Sequence, residues 1–199
     1  MATADKSVLR ERLLAARRAV APDLRAREAR TLADHLDALT IASGTVCAYV
    51  PVGTEPGSIA MLDGLRRRGL RVLLPVVGAG ENDVSMPLMW GEYHPGGLVA
   101  GRFGLLEPAS PWLPPAVLAE AAVVIVPALA VDRRGVRLGR GAGCYDRSLP
   151  LRAANAQLIA VVRDAELIAE LPSEPHDVPM THALTPRRGI VALGPDRPK

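Results

Sequence analysis

Cysteine occurs only twice in the 199-residue chain, as Cys47 in an apolar run and Cys144 in a glycine-rich one. Two separate thiols exclude a disulfide framework of the secreted kind and a cysteine-built zinc site, and they fit a reducing cytoplasm. Lysine is almost missing as well: of 24 basic residues only Lys6 and Lys199 are lysines, and the rest are arginines. The net charge of +3 is small and is not gathered into a long basic run, which argues against a nucleic-acid partner. The densest cluster, Arg66-Arg67-Arg68, reads most simply as the solvated end of a helix. No apolar run reaches the length of a membrane span, and the start, Met-Ala-Thr-Ala-Asp-Lys, lacks the apolar core and cleavage site of a signal peptide. Aromatic residues amount to 3%, with Phe103 the single phenylalanine.

What is present is an ordinary globular balance, 49% hydrophobic and 23% charged. At this length a substantial core can be buried, and no repeat or linker divides the chain, so one domain over residues 1–199 is expected. Val8, Leu9, Leu13 and Leu14 recur at helical spacing within residues 5–19, and Pro22 opens a second helix with Leu24, Leu32, Leu36 and Leu39 inward. A short strand is expected at Thr45–Val50, a helix at Ser58–Arg68 ended by Gly69, and a buried strand at Arg71–Pro75. Residues 76–115, rich in Gly and Pro, read as irregular loops with a hairpin covering one end of a sheet. Ala121–Val131 reads as the strongest strand, Leu158–Val162 as another and Ile190–Leu193 as a last one. Strands alternating with helices predict a three-layer α/β/α fold with a mostly parallel central sheet and ligands at the strand C-termini.

The segment Gly-Val-Arg-Leu-Gly-Arg-Gly-Ala-Gly-Cys-Tyr-Asp-Arg, residues 135–147, lies past such a strand end. Gly139, Gly141 and Gly143 permit positive φ and close approach, so that successive N–H groups can converge on phosphate oxygens. Arg137 and Arg140 add charge, and the N-terminus of the helix that follows would add its dipole. The glycine spacing fits neither the Walker A loop nor the dinucleotide fingerprint. Asp146, at the end of the run, can hold a divalent metal against phosphates; read alone, it is equally a helix N-terminal aspartate.

Arg137-Leu-Gly-Arg-Gly-Ala-Gly-Cys-Tyr-Asp-Arg147, preceded by Val126-Pro-Ala-Leu-Ala-Val-Asp132, resembles the signature of the 5-formyltetrahydrofolate cyclo-ligases, or 5,10-methenyltetrahydrofolate synthetases. Lys6 with Arg10, Tyr49-Val-Pro with Glu55, Gly101-Arg-Phe-Gly-Leu-Leu-Glu-Pro108 and Glu174-Pro-His-Asp-Val-Pro-Met180 follow in the family's order, so the resemblance spans nearly the whole chain. It implies ATP- and Mg-dependent conversion of 5-formyltetrahydrofolate to 5,10-methenyltetrahydrofolate with release of ADP and phosphate, by a cytoplasmic enzyme. A monomer without membrane or nucleic-acid partner is expected.

Residue by residue, the resemblance implies that Lys6 and Arg137 are the catalytic cations, and that Lys6 and Arg10 contact ATP phosphate. The i, i+4 spacing of Lys6 and Arg10 puts both on one helix face. Arg137, Leu138, Gly139, Arg140, Gly141, Ala142, Gly143, Cys144 and Tyr145 match the nucleotide loop, and Asp146 and Asp177 the magnesium carboxylates. Val50, Glu55, Phe103 and Tyr145 match the folate-contacting positions, with Met86 and Trp90 in a looser matching region. A carboxylate such as Glu55 can accept paired hydrogen bonds from the aminopyrimidinone edge of a pterin. Two positions depart from the family pattern: Cys144 stands where a tyrosine is usual, and Thr181 where a second acidic residue is frequent. A nucleophilic Cys144 would need a base, and none is evident nearby in sequence. His176 reads as a capping or surface residue. Fold alone does not separate this family from sugar-phosphate isomerases or CoA-transferases, nor an enzyme from a nonenzymatic folate-binding module.

Overall fold

The computed structural model describes residues 2–41, 44–77, 86–175 and 177–194; the side chains of residues 2–5 and of Phe103 lie outside the described set. Helix α1, Ala2–Ala19, holds no proline or glycine and stops before Pro22. That proline starts α2, Pro22–Asp37, where its missing N–H is an unused donor anyway. Then come β1 Thr45–Cys47, α3 Ile59–Arg67 and β2 Arg71–Val76, with Gly69 at φ 78 reversing the chain after α3. Strands β3 Met89–Glu92, β4 Leu98–Ala100 and β5 Leu106–Pro108 precede β6 Ala121–Pro127, β7 Ala130–Asp132 and β8 Arg137–Leu138. After α4, Cys144–Ser148, come β9 Gln157–Val161, β10 Leu167–Ile168, β11 His182–Thr185 and β12 Gly189–Ala192.

The main sheet runs β12-β11-β9-β6-β1-β2-β3. The β11–β9, β9–β6, β6–β1 and β1–β2 pairs are parallel, and antiparallel β12 and β3 close its edges. Alternation along the strands feeds two cores. Val46, Val72, Leu74, Val123, Ile125, Ile159 and Val161 pack with Leu32 and Leu36 of α2 and Leu62 and Leu65 of α3. On the other face Cys47, Leu73, Val124, Val126, Leu158 and Ala160 meet Leu88, Trp90, Leu118 and Leu149. At about 1.5–3 kcal/mol for each fully buried large aliphatic side chain, these two layers are the principal stabilising term. The expected mostly parallel α/β sheet is therefore observed, its second face covered by α4, short 3-10 turns and loops rather than long helices.

Several elements differ from expectation. The single strand expected over Ala121–Val131 is two strands in different sheets: β6 ends at Pro127, the backbone turns, and Leu129 N donates to Leu138 O at 2.8 Å. Proline supplies no N–H to extend the ladder, and β7 joins a small β10-β7-β8 sheet instead. Strand β1 ends three residues early, although Ala48 N still donates to Leu73 O at 2.8 Å. Strand β11 passed unnoticed because its four residues include a histidine and a threonine. Leu24 is 41% exposed, since it sits in the first turn of α2 ahead of the part that packs, whereas Leu39 does pack against the core. In the 76–115 region, β3 extends the main sheet and β4–β5 form the hairpin. The arginine cluster closes helix ends: Arg68 donates to Leu36 O and Leu39 O beyond α2, and Arg66 to Leu70 O. No described helix is long and apolar enough to cross a membrane.

Candidate active site at the strand ends

The ends of β1, β2 and β6 supply Glu55, Pro75, Val77, Pro127, Ala128 and Leu129 to a cavity of about 810 Å³. Helix α1 lines it with Lys6, Arg10 and Arg17, and so does the glycine loop between β8 and α4. Lys6, Arg10, Glu55, Arg137 to Tyr145, Asp146 and Asp177, residues spread over 172 positions of sequence, thus line one space.

Lys6 is 7% exposed, its Nζ 3.4 Å from both Glu174 Oε1 and Asp177 Oδ2. Asp177 Oδ2 also accepts the Glu174 N–H at 2.7 Å, so backbone and ammonium together fix the carboxylate. One turn on, Arg10 Nε donates to Gly139 O at 3.0 Å and ties α1 to the glycine loop. The three glycines are not equivalent. Gly141 and Gly143 adopt φ 103 and 69 as expected, but Gly139 is not in the left-handed region. Its lack of a side chain serves proximity, since a Cβ there would stand 3.0 Å from Arg137 Nη1. The expected dipole contribution is also reduced, because α4 is only five residues long.

Arg137 is nearly buried and donates through Nη2 to Asp146 Oδ1. Its guanidinium carbon lies 5.7 Å from the centre of the Tyr145 ring. Arg137 Nε and Tyr145 Oη are buried without hydrogen-bond partners among the described residues, and such orphaned donors in a cavity wall are places for a ligand's acceptors. Burial first and the Glu55 carboxylate second push the Tyr145 phenol well above its ordinary pKa, with Arg137 opposing, so at neutral pH it is a protonated donor. Glu55 accepts the Val52 N–H through Oε2 at 2.9 Å and pairs with Arg140 Nε through Oε1 at 3.0 Å.

Other expected residues lie elsewhere. Val50 is half-buried against the α2–α3 core and does not line the cavity. The Phe103 side chain and His176 lie outside the described residues. Met86 is 63% exposed, and Trp90 is a core residue at 1%. Cys144 is half-buried in the cavity wall, and no histidine is among the described lining residues. Thr181 Oγ1 accepts from Leu158 N and donates to Leu158 O, which makes this position a sheet contact rather than support for the carboxylates. Sequence reasoning missed Arg17 and Glu174, both lining the cavity. Extending the Lys6–Arg10 stripe by seven residues would have found Arg17.

No described group of three or more His, Cys, Asp or Glu is close enough to cage a metal by itself. Asp146 Oδ2 and Asp177 Oδ1 carry no hydrogen bond to a described residue. One or two free carboxylate oxygens suit magnesium, which keeps waters and takes other ligands from phosphates, and so the donor set fits that ion carried on a nucleotide.

A mostly parallel α/β sheet with a cationic, glycine-walled cavity beyond its strand ends is the architecture of an α/β protein whose ligand site lies at the strand ends. The model of the 5-formyltetrahydrofolate cyclo-ligase family matches residues 2–186. A 5-formyltetrahydrofolate cyclo-ligase of Mycolicibacterium smegmatis is 60% identical over 193 residues, 97% of this chain and 100% of that protein. The Escherichia coli K12 enzyme of the same name is 32% identical over 149 residues, 72% of this chain and 79% of that protein. The 5,10-methenyltetrahydrofolate synthetase of Aquifex aeolicus superimposes with a TM-score of 0.77 at 25% identity, covering 98% of this chain and 95% of the other. The chain belongs to the 5-formyltetrahydrofolate cyclo-ligase family and is an enzyme of that family. Membership decides against the isomerase, CoA-transferase and nonenzymatic readings that fold alone left open.

Proposed function

We propose that the enzyme converts 5-formyltetrahydrofolate to 5,10-methenyltetrahydrofolate in an ATP- and magnesium-dependent reaction that also yields ADP and phosphate. The formyl oxygen is a poor leaving group. Transfer of the γ-phosphoryl group to it gives ADP and an electrophilic carbon; N10 attacks that carbon and loses its proton, and the C–O bond breaks to release phosphate with the former formyl oxygen. Phosphoryl transfer of this kind depends on alignment and charge neutralisation more than on covalent help.

The carrying observation is the 3.0 Å contact of Arg140 with Glu55. It puts the phosphate-type loop and the carboxylate suited to a pterin within one ion pair of each other, as transfer between two bound substrates requires. In this reading Lys6, Arg10, Arg137 and Arg140 grip the polyphosphate, and Lys6 and Arg137 stand against the phosphoryl group in transfer. Glu55 and the Tyr145 hydroxyl hold the pterin, whereas Val50, away from the cavity, is not part of this reading. The apolar lining of Val77, Leu88, Leu105, Leu129 and Leu138 gives flat ring systems a wall. Asp146 and Asp177 would hold magnesium, which supplies neutralisation of phosphate charge when bound. Cys47 and Cys144 form no disulfide, which supports a cytoplasmic setting, and we take the monomer as the working unit.

The test is optical. Methenyltetrahydrofolate absorbs in the near ultraviolet and the formyl substrate does not, so purified enzyme with Mg·ATP should develop absorbance and release one phosphate per folate converted. Product forming equally fast without nucleotide would overturn the reading.

A further inference from the structure

Lys6, Arg10 and Arg17 stand within roughly 40° of one another on the surface of α1, at about 100° per residue. All three line the cavity, but the third is held differently. Arg17 is 1% exposed and spends its fork on protein: Nε donates to Glu166 Oε1 and Nη2 to Glu166 Oε2, each at 2.7 Å, and Nη2 also donates to Ala128 O at 2.5 Å. Ala128 follows β6, and Glu166 lies in the 3-10 turn after β9, the two central strands on that side of the sheet. Glu166 does not line the cavity. It is 5% exposed, and its Oε2 accepts the Arg163 N–H at 2.7 Å.

Apolar packing anchors α1 lightly. Leu9 and Leu13 pack against the small cluster of Ala130, Leu138 and Leu171, while the buried leucines of α2 and α3 enter a main core. A bidentate arginine–carboxylate pair supplies the direction that such packing lacks. It fixes the rotation and height of a helix whose other two cations must meet one polyphosphate.

We propose that Glu166 is a positioning residue of this enzyme, holding Arg17 so that α1 presents Lys6 and Arg10 to the nucleotide at the correct register. The proposal rests on the reading of the cavity as the ATP site. Steady-state kinetics with each substrate varied in turn, on wild type, Glu166→Gln, Arg10→Ala and the double variant, test it. Glu166→Gln should raise the ATP KM at least fivefold and move the folate KM less than twofold. In the double variant the further rise in ATP KM over Arg10→Ala alone should be smaller than the rise Glu166→Gln causes in wild type, because Arg10 is one of the two cations whose placement it disturbs. Equal increases in both KM values, or effects that multiply in the double variant, would reduce the pair to general stability and overturn the proposal. If Glu166→Gln does not fold, Arg17→Gln/Glu166→Gln, which leaves no unpaired buried charge, carries the same KM comparison. A wild type indifferent to ATP would instead strike the nucleotide reading itself.

Discussion

Gly135→Ala is the substitution whose consequence can be worked most directly from the geometry. Gly135 is buried at φ 95, its N–H donating to Asp132 O at 3.0 Å and its carbonyl accepting the Met180 N–H at 2.8 Å. An alanine Cβ would overlap the Met180 carbonyl oxygen and stand 3.1 Å from Met180 N, both backbone atoms of a residue itself 2% exposed. The left-handed backbone costs an L-residue about 1–2 kcal/mol. Relief of the overlap must stretch the Gly135–Met180 hydrogen bond, adding about 0.5–1.5 kcal/mol. A total of about 1.5–3.5 kcal/mol, set against a typical stability of roughly 5–15 kcal/mol, lowers Tm by about 3–14 °C for a chain of this size. Gly96→Ala is the control: its φ is 77, but nothing stands within 4 Å of the added Cβ, so only the backbone cost applies. Thermal melts of both variants, followed by circular dichroism, make the comparison. Equal losses in the two would show that the Met180 overlap is relieved freely and refute the reasoning. Because residues 135 and 180 bracket the segments bearing Arg137 and Asp177, activity should fall with Gly135→Ala and persist with Gly96→Ala.

Replacing Asp146 or Asp177 by Ala should shift the dependence of rate on magnesium to higher concentration, since each is proposed to hold the cation; unchanged magnesium curves would leave them as partners of Arg137 and Lys6 alone. Glu55→Gln should weaken folate by about 1.5–3 kcal/mol, the scale of a charge-assisted hydrogen bond, and ATP by less; equilibrium binding of each ligand distinguishes this from a general loss. Native alkylation at pH 8 followed by mass spectrometry should modify Cys144 and spare Cys47, whose thiol burial pushes up to about 12, and ATP should protect Cys144. Cys144→Ser should retain more than about a tenth of wild-type turnover, a loss within roughly 1.4 kcal/mol; near-complete loss in a folded, ATP-binding variant would revive a nucleophilic thiol.

The sequence by itself determined what is local or periodic. Proline and glycine punctuation set the start of α2 and the end of α3, apolar runs marked β1, β2, β6 and β9, and the glycine run foretold the left-handed turns at Gly141 and Gly143, because turn conformation and strand burial depend on near neighbours. What only the tertiary structure decided is which distant groups share an ion pair. Nothing in the order of residues says that Arg140 reaches Glu55, that Asp177 stands against Lys6, or that Arg17 is clamped by Glu166, 149 positions away. The division of residues 121–132 between two sheets and the proximity role of Gly139 were hidden for the same reason. Both follow from contacts across the strand ends, where the parallel sheet gathers loops that the sequence keeps far apart, and hydrophobic pattern carries no information about which loops will meet.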